Sequence, residues 1–152
     1  MKSLGQPEIR RSVIERVGKL GADHNPLWGR MSAHQMVCHL TDSFKVATGE
    51  RPISSKSGWK ERNVFKFIAL YVPAPWPKDV PTMPEADQFI GGTRPIEFEQ
   101  DRRELLRLID DVCDRDAARL AATHPYFGPM TCANWLRWGF LHADHHLRQF
   151  GL

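Results

Sequence analysis

Residues 131–151, TCANWLRWGFLHADHHLRQFG, decide how this chain is read. Thr131 offers a side-chain acceptor suited to the N-cap of a helix, and Gly151 suits its end. Stepping about 100° per residue gathers Trp135, Gly139, His142, His146 and Phe150 on one side of that helix. Asn134, Arg137, Asp144 and Arg148 fall on the other, which is therefore expected to face solvent. Two histidines thus stand where a helical protein ordinarily places leucine, while His145 lies near the boundary between the faces.

Burying two imidazoles without partners would cost on the order of 1–3 kcal/mol each, so partners are expected. Hydrogen bonds to Ser43, Gln149 or ordered water would serve, and so would one shared metal ion. Histidines at i and i+4 project from one helix face and can ligate a single ion. A third histidine from a facing helix then completes a set of three and leaves a coordination position open for water or substrate.

His39 is the candidate for that third ligand. It lies in a second helix that opens at Ser32 with Gln35 three residues on, a capping box, and runs to about Gly49. The apolar centre of this helix passes through Met36, Leu40, Phe44 and Ala47, with His34, Thr41 and Lys45 expected on the outer face. His39 sits at the edge of the buried face, on a strip with Ser32, Ser43 and Val46 whose small side chains leave room for a ligand. Gln35 and Asp42 flank it at i−4 and i+3 and could hold its second ring nitrogen; the other reading of Asp42 is a solvated surface residue.

Two further helices are expected, one over Glu8 to Leu20 with Gly21 as its stop and one from Pro95 to about Ala122. Between the second and third of the four helices lies a long connection, residues 51–94. It could hold a short helix over Asn63 to Val72, followed by PAPWPKDVPTMP (73–84), where the prolines remove donors and fix φ. So long a connection suits a crossover or a flap over a site. With no convincing alternating strand, the pattern predicts an all-α, antiparallel four-helix bundle with a Pro-rich link between helices 2 and 3. Sites in such bundles are built from inward side chains on facing helices.

The 152 residues, 41% hydrophobic and 26% charged, fit one domain spanning 1–152. No apolar run approaches the roughly 20 residues of a membrane span, and no signal-peptide core is present, so a cytoplasmic protein is expected. Three cysteines without CxxC spacing argue against a disulfide framework or a zinc-thiolate ribbon. A net charge of +3, scattered among acids, gives no nucleic-acid footprint.

Other residues carry two readings each. Gln149, two turns beyond His142 on nearly the same bearing, could orient a ligand or bind cofactor, or simply close the end of the helix. Cys132 could hold a thiolate favoured by a helix N-terminus, or be a small buried hydrophobe. Cys38 adjoins His39 in sequence but diverges from it by about 100° around the helix, so the two form no dyad. Trp59, Trp76, Trp135 and Trp138 could wall a pocket or fill the core, and His124 could reach the pocket mouth or stabilise a turn. No carboxylate stands out as a general base, and no catalytic residue is assigned.

The histidine of VCHL (His39), the closing HADHHLRQ (His142, His146 and Gln149) and the order of the helices resemble the DinB-like superfamily over most of the chain. The segment HPYFGPMT and the ending HHLRQFG resemble a branch of it with no assigned activity. That resemblance implies an up-down-down-up bundle, a divalent metal (often zinc or nickel) on the three histidines, and frequently a dimer. Characterised members include S-transferases and isomerases that use low-molecular-weight bacterial thiols, and many others are described as hydrolases. The Pro-rich stretch from Val72 to Pro84 lies outside the superfamily's core pattern. A metal-binding stress-response protein without turnover, and a metal-free bundle with structural histidines, are the alternatives.

Overall fold

A computed structural model of the chain describes residues 1–78, 80–116 and 119–152. Among these, four helices of 13 to 18 residues enclose the core: α1 Pro7–Lys19, α2 Ala33–Ala47, α4 Phe98–Asp114 and α5 Cys132–Gln149. A short helix, α3 Lys66–Tyr71, follows a single π-helical turn, Glu61–Phe65. Helix α2 packs along α4, while α5 touches α1, α2 and α3. No helix among the described residues is long and apolar enough to cross a membrane.

The caps explain where the helices begin. Ser32 Oγ accepts from the Gln35 backbone N–H at 3.2 Å and Gln35 Oε1 accepts from the Ser32 N–H at 2.9 Å, closing the expected capping box. Thr131 Oγ1 accepts from the Asn134 N–H at 3.1 Å. Helix α4 departs from expectation at both ends. Its N-cap is Glu97, whose carboxylate accepts from the N–H groups of Glu99 and Gln100 at 3.0 and 2.6 Å. Pro95 therefore stays outside the helix, and the Ile96 N–H just before it donates to Asp101 Oδ2 at 3.1 Å.

The far end of α4 stops at Asp114, well short of Ala122; Ala117 and Ala118, which the longer helix would have included, lie outside the described residues. No Gly or Pro signals this stop. The Ala121 N–H, which a longer helix would have used, donates instead to the Ala47 carbonyl at 2.8 Å, and the Ala121 carbonyl accepts from Trp135 Nε1 at 2.7 Å. A two-residue hairpin follows where no strand was expected, with β1 Thr123–His124 antiparallel to β2 Gly128–Pro129. Gly128, at φ 67°, supplies the left-handed residue the turn needs.

The core joins Val13 and Val17 of α1, Met36, Leu40 and Phe44 of α2, Leu105, Leu108, Ile109 and Val112 of α4, and Trp135, Ala143 and Leu147 of α5. One contact sets how closely α5 approaches α2. A Cβ on Gly139 would lie 3.1 Å from Phe44 Cε1 and 3.0 Å from Leu4 Cδ1. Gly139 stands one turn before His142, so the close approach it permits helps bring α5 within reach of His39. Gly139→Val should cost about 1–3 kcal/mol by overpacking; urea denaturation yielding wild-type stability would contradict this.

Candidate metal centre

Helix α2 presents His39 and helix α5 presents His142 and His146, and the structure brings all three together. His39 Nε2 lies 3.2 Å from His142 Nε2, and His146 Nε2 lies 3.1 Å from the same atom. The three ligand atoms fall within 4.8 Å of one another. His39 and His146 are buried, and the half-buried His142 is flanked by Trp138 at 4.7 Å and Trp76 at 6.0 Å between ring centroids.

The outward nitrogens decide the tautomers. His39 Nδ1–H donates to the Ala86 carbonyl at 3.1 Å. His146 Nδ1–H donates to Gln149 Oε1 at 2.9 Å, and the orientation of that amide is fixed because Gln149 Nε2 donates to the Trp28 carbonyl at 2.7 Å. Both Nε2 atoms are therefore bare lone pairs aimed at His142. Burial pushes the pKa of His39 below its ordinary value and those of His142 and His146 well below theirs, so the cluster resists taking up extra protons.

Three neutral imidazoles hold three N–H protons, and two are committed outward. A proton on His142 Nε2 could be shared by two acceptors but would leave Nδ1 bare, and His142 Nδ1 is buried with no partner among the described residues. A proton on Nδ1 would instead leave three lone pairs facing one another. A cation accepts all three at once. At about 2.0–2.1 Å from each nitrogen, tetrahedral ligands stand about 3.3 Å apart, close to the 3.1 and 3.2 Å observed. The residues thus fit a divalent ion.

Several expectations are corrected around this core. Asp42 is neither at the surface nor on His39: it is 0% exposed and forms an ion pair with Arg51 at 3.0 Å. It also accepts from the Thr93 N–H at 2.8 Å, Thr93 Oγ1 at 2.6 Å and Gln88 Nε2 at 3.2 Å. Arg51 in turn donates to the carbonyls of Glu85 and Gly91 at 2.5 and 2.8 Å. This clamp ties the segment containing Ala86 to α2, so Asp42 acts on His39 at one remove. Gln35 is engaged in the capping box with Ser32 rather than on the His39 ring, and the expected outer-face Thr41 is buried.

On α5, Asn134 is buried as well, because its Oδ1 accepts from the Tyr71 hydroxyl at 2.6 Å. His145 sits between the rings of Trp28 and Trp76, 6.0 and 6.2 Å away. Trp76 and Trp138 reach the site, Trp135 belongs to the core, and Trp59 is 73% exposed. The Ala86 carbonyl had no sequence signal, since a backbone acceptor can belong to any residue.

His124 serves the turn and the approach to the site together. Its Nδ1 accepts from the N–H groups of Tyr126 and Phe127 at 3.1 and 3.2 Å, and its ring packs 5.0 Å from Trp138. Burial, assisted by the Lys66 ammonium, holds its pKa down at about 3. A depressed histidine is neutral when folded but takes a proton when unfolded below 6.5, so folding stability falls as pH drops below 6.5. The metal-free protein should lose up to about 1.4 kcal/mol per pH unit for each such imidazole between pH 6.5 and 5, above the range where carboxylates titrate. Urea midpoints that are flat across that window would contradict the burial of these rings.

Fold and site together define a helical protein able to hold a divalent ion on three imidazoles from two facing helices. The chain belongs to the DinB superfamily, whose family model matches residues 11–150. Comparisons with curated proteins and with solved structures gave no match.

Proposed function

We propose that this DinB superfamily protein binds one divalent ion, zinc or nickel, through His39, His142 and His146, and uses the open coordination position for thiol S-transfer or hydrolysis. The observation that supports this reading most is the proton arrangement: two ligands have their Nδ1–H groups committed to fixed acceptors, and the third has a buried nitrogen that nothing among the described residues satisfies. When bound, such an ion acts as a Lewis acid that keeps a thiolate or hydroxide available at neutral pH. Gln149 orients His146, and the Ala86 carbonyl orients His39. Trp76 and Trp138 cover His142 and limit water around it.

The thiol version is preferred because no carboxylate among the described residues is hydrogen-bonded to the three imidazoles, leaving no evident base to activate water. The same observation favours, as a second reading, a metal-binding protein without turnover. Further parts of the proposal are a single domain over 1–152 with helices in up-down-down-up order, cytoplasmic residence, a homodimer and a low-molecular-weight thiol as partner, with Gln149 near any bound cofactor.

Elemental analysis of untagged protein should find near-stoichiometric zinc or nickel. Incubation with several small thiols and an electrophilic acceptor should give turnover that stops on chelation; metal without turnover selects the second reading, and turnover that survives chelation excludes the mechanism. Gln149→Ala should weaken metal affinity about 10–100-fold by freeing the His146 ring. A competition titration showing unchanged affinity would remove Gln149 from this role.

A further inference from the structure

A second group of metal-ligating side chains lies elsewhere along α2, where it meets α4. His34 and Cys38, one turn apart on α2, converge with Asp101 of α4, and their ligand atoms lie within 4.8 Å of one another. His34 Nε2–H donates to Asp101 Oδ2 at 2.7 Å, Cys38 Sγ–H approaches the same oxygen at 3.6 Å, and the Ile96 N–H reaches it at 3.1 Å. Three donors from two segments therefore crowd onto one carboxylate oxygen. His34 and Asp101 keep about a fifth of their side chains exposed, so an ion could enter from solvent.

We propose that His34, Cys38 and Asp101 form a second binding site for a thiophilic divalent cation of the zinc type, independent of the three-histidine centre. The donor set is suited to it, since zinc takes thiolate sulfur at about 2.3 Å, imidazole nitrogen at about 2.0–2.1 Å and carboxylate oxygen at about 2.0–2.2 Å. Those lengths in a tetrahedron separate sulfur from oxygen by about 3.6 Å, matching the 3.6 Å observed. His34 has to open from Asp101 by several tenths of an ångström. Binding replaces two hydrogen bonds by one ion: the Cys38 proton leaves to solvent, and the His34 proton moves to Nδ1. One thiolate and one carboxylate then balance the dipositive charge.

The surroundings permit this. Asp101 lines an open surface hollow of about 430 Å³ with Lys45, Gln100, Arg103, Glu104 and Arg107. Glu104 neutralises two of the cations there, pairing with Lys45 at 3.4 Å and Arg107 at 2.8 Å. Acting as a free nucleophile is not open to Cys38, whose thiol is pushed up to about 12 by burial and by the Asp101 charge. A metal ion is what would draw sulfur chemistry from it.

Cobalt(II) and zinc titrations of the metal-free, full-length protein test the site. Wild type should bind two equivalents, and the cobalt form should show a near-ultraviolet sulfur-to-metal charge-transfer band, which three imidazoles cannot produce. Cys38→Ser and His34→Gln should each reduce the stoichiometry to one, and Cys38→Ser should abolish the band. His142→Leu should remove the other equivalent and keep the band, so failure of this site and failure of the three-histidine site are distinguishable. A wild-type protein lacking the band, or a band that survives Cys38→Ser, overturns the proposal. Should Cys38→Ser lose its helical circular dichroism, protection of one wild-type thiol from alkylation by added zinc decides the matter.

Discussion

Asp42→Ala should destabilise the protein by about 3 kcal/mol or more, the scale expected when one partner of a buried ion pair is removed. Asp42 is fully enclosed, and its two oxygens hold Arg51, Thr93 and Gln88. Alanine leaves the Arg51 guanidinium facing only the Glu85 and Gly91 carbonyls and Thr93 Oγ1, and leaves the Thr93 N–H without its acceptor. The exposed part of Arg51 recovers some hydration, which puts the estimate at the lower end of that range. A second effect follows from the path of the chain. The segment held by this clamp also presents the Ala86 carbonyl to His39, so metal affinity should fall with stability, by about 10–100-fold. Urea denaturation of the metal-free variant together with a competitive metal titration measures both. A loss under 1 kcal/mol would mean that the pair contributes little, and full stability loss with unchanged affinity would uncouple the clamp from His39.

Asp42 also marks the boundary of what the sequence could reveal. The buried face of α5 was legible because its histidines and aromatics repeat at helical spacing; of the four residues that the angular count sends to solvent only Arg148 is exposed, while Arg137 and Asp144 are half-buried and Asn134 is buried. The capping residues Ser32 and Thr131 were legible because a hydroxyl before an amphipathic run has a local meaning. The same count fails for α2. It assumes that one side of a helix meets water, yet the side carrying His34, Thr41 and Lys45 lies along α4, where His34 pairs with Asp101 and Lys45 with Glu104, while the segment from Glu85 to Thr93 covers Asp42. Nothing local in a proline-rich connection says which helix it will cover. The ends of α4 fail for a related reason: Glu97 caps by side-chain geometry rather than by residue type, and the stop at Asp114 answers to distant partners, Ala47 and Trp135. For the site, imidazole spacing was readable and the groups that set the tautomers were not, apart from Gln149.

His142→Leu should abolish tight metal binding at the three-histidine centre and, in the metal-free state, leave the protein as stable as wild type or more so. The two expectations come from one atom. Without an ion, His142 brings a buried Nδ1 that has no partner among the described residues and an Nε2 wedged between two other Nε2 atoms. A buried polar group left unsatisfied costs about 1–3 kcal/mol, which leucine, of similar bulk, does not incur. The cost of the altered shape offsets part of this gain, since a hydrophobic replacement of near-equal volume commonly costs under about 1.5 kcal/mol. With the ion present the ordering reverses, because a ligand that binds only the folded state adds stability as its concentration rises above the dissociation constant. Thermal unfolding of wild type and variant, each with chelator and with saturating zinc or nickel, separates the cases. Wild type should gain in melting temperature on adding metal, and the variant should show little gain from this site. A variant that is markedly weaker than wild type under chelator would show His142 to be a structural core residue with satisfied nitrogens. A metal-induced shift equal in both proteins would remove it from the ligand set.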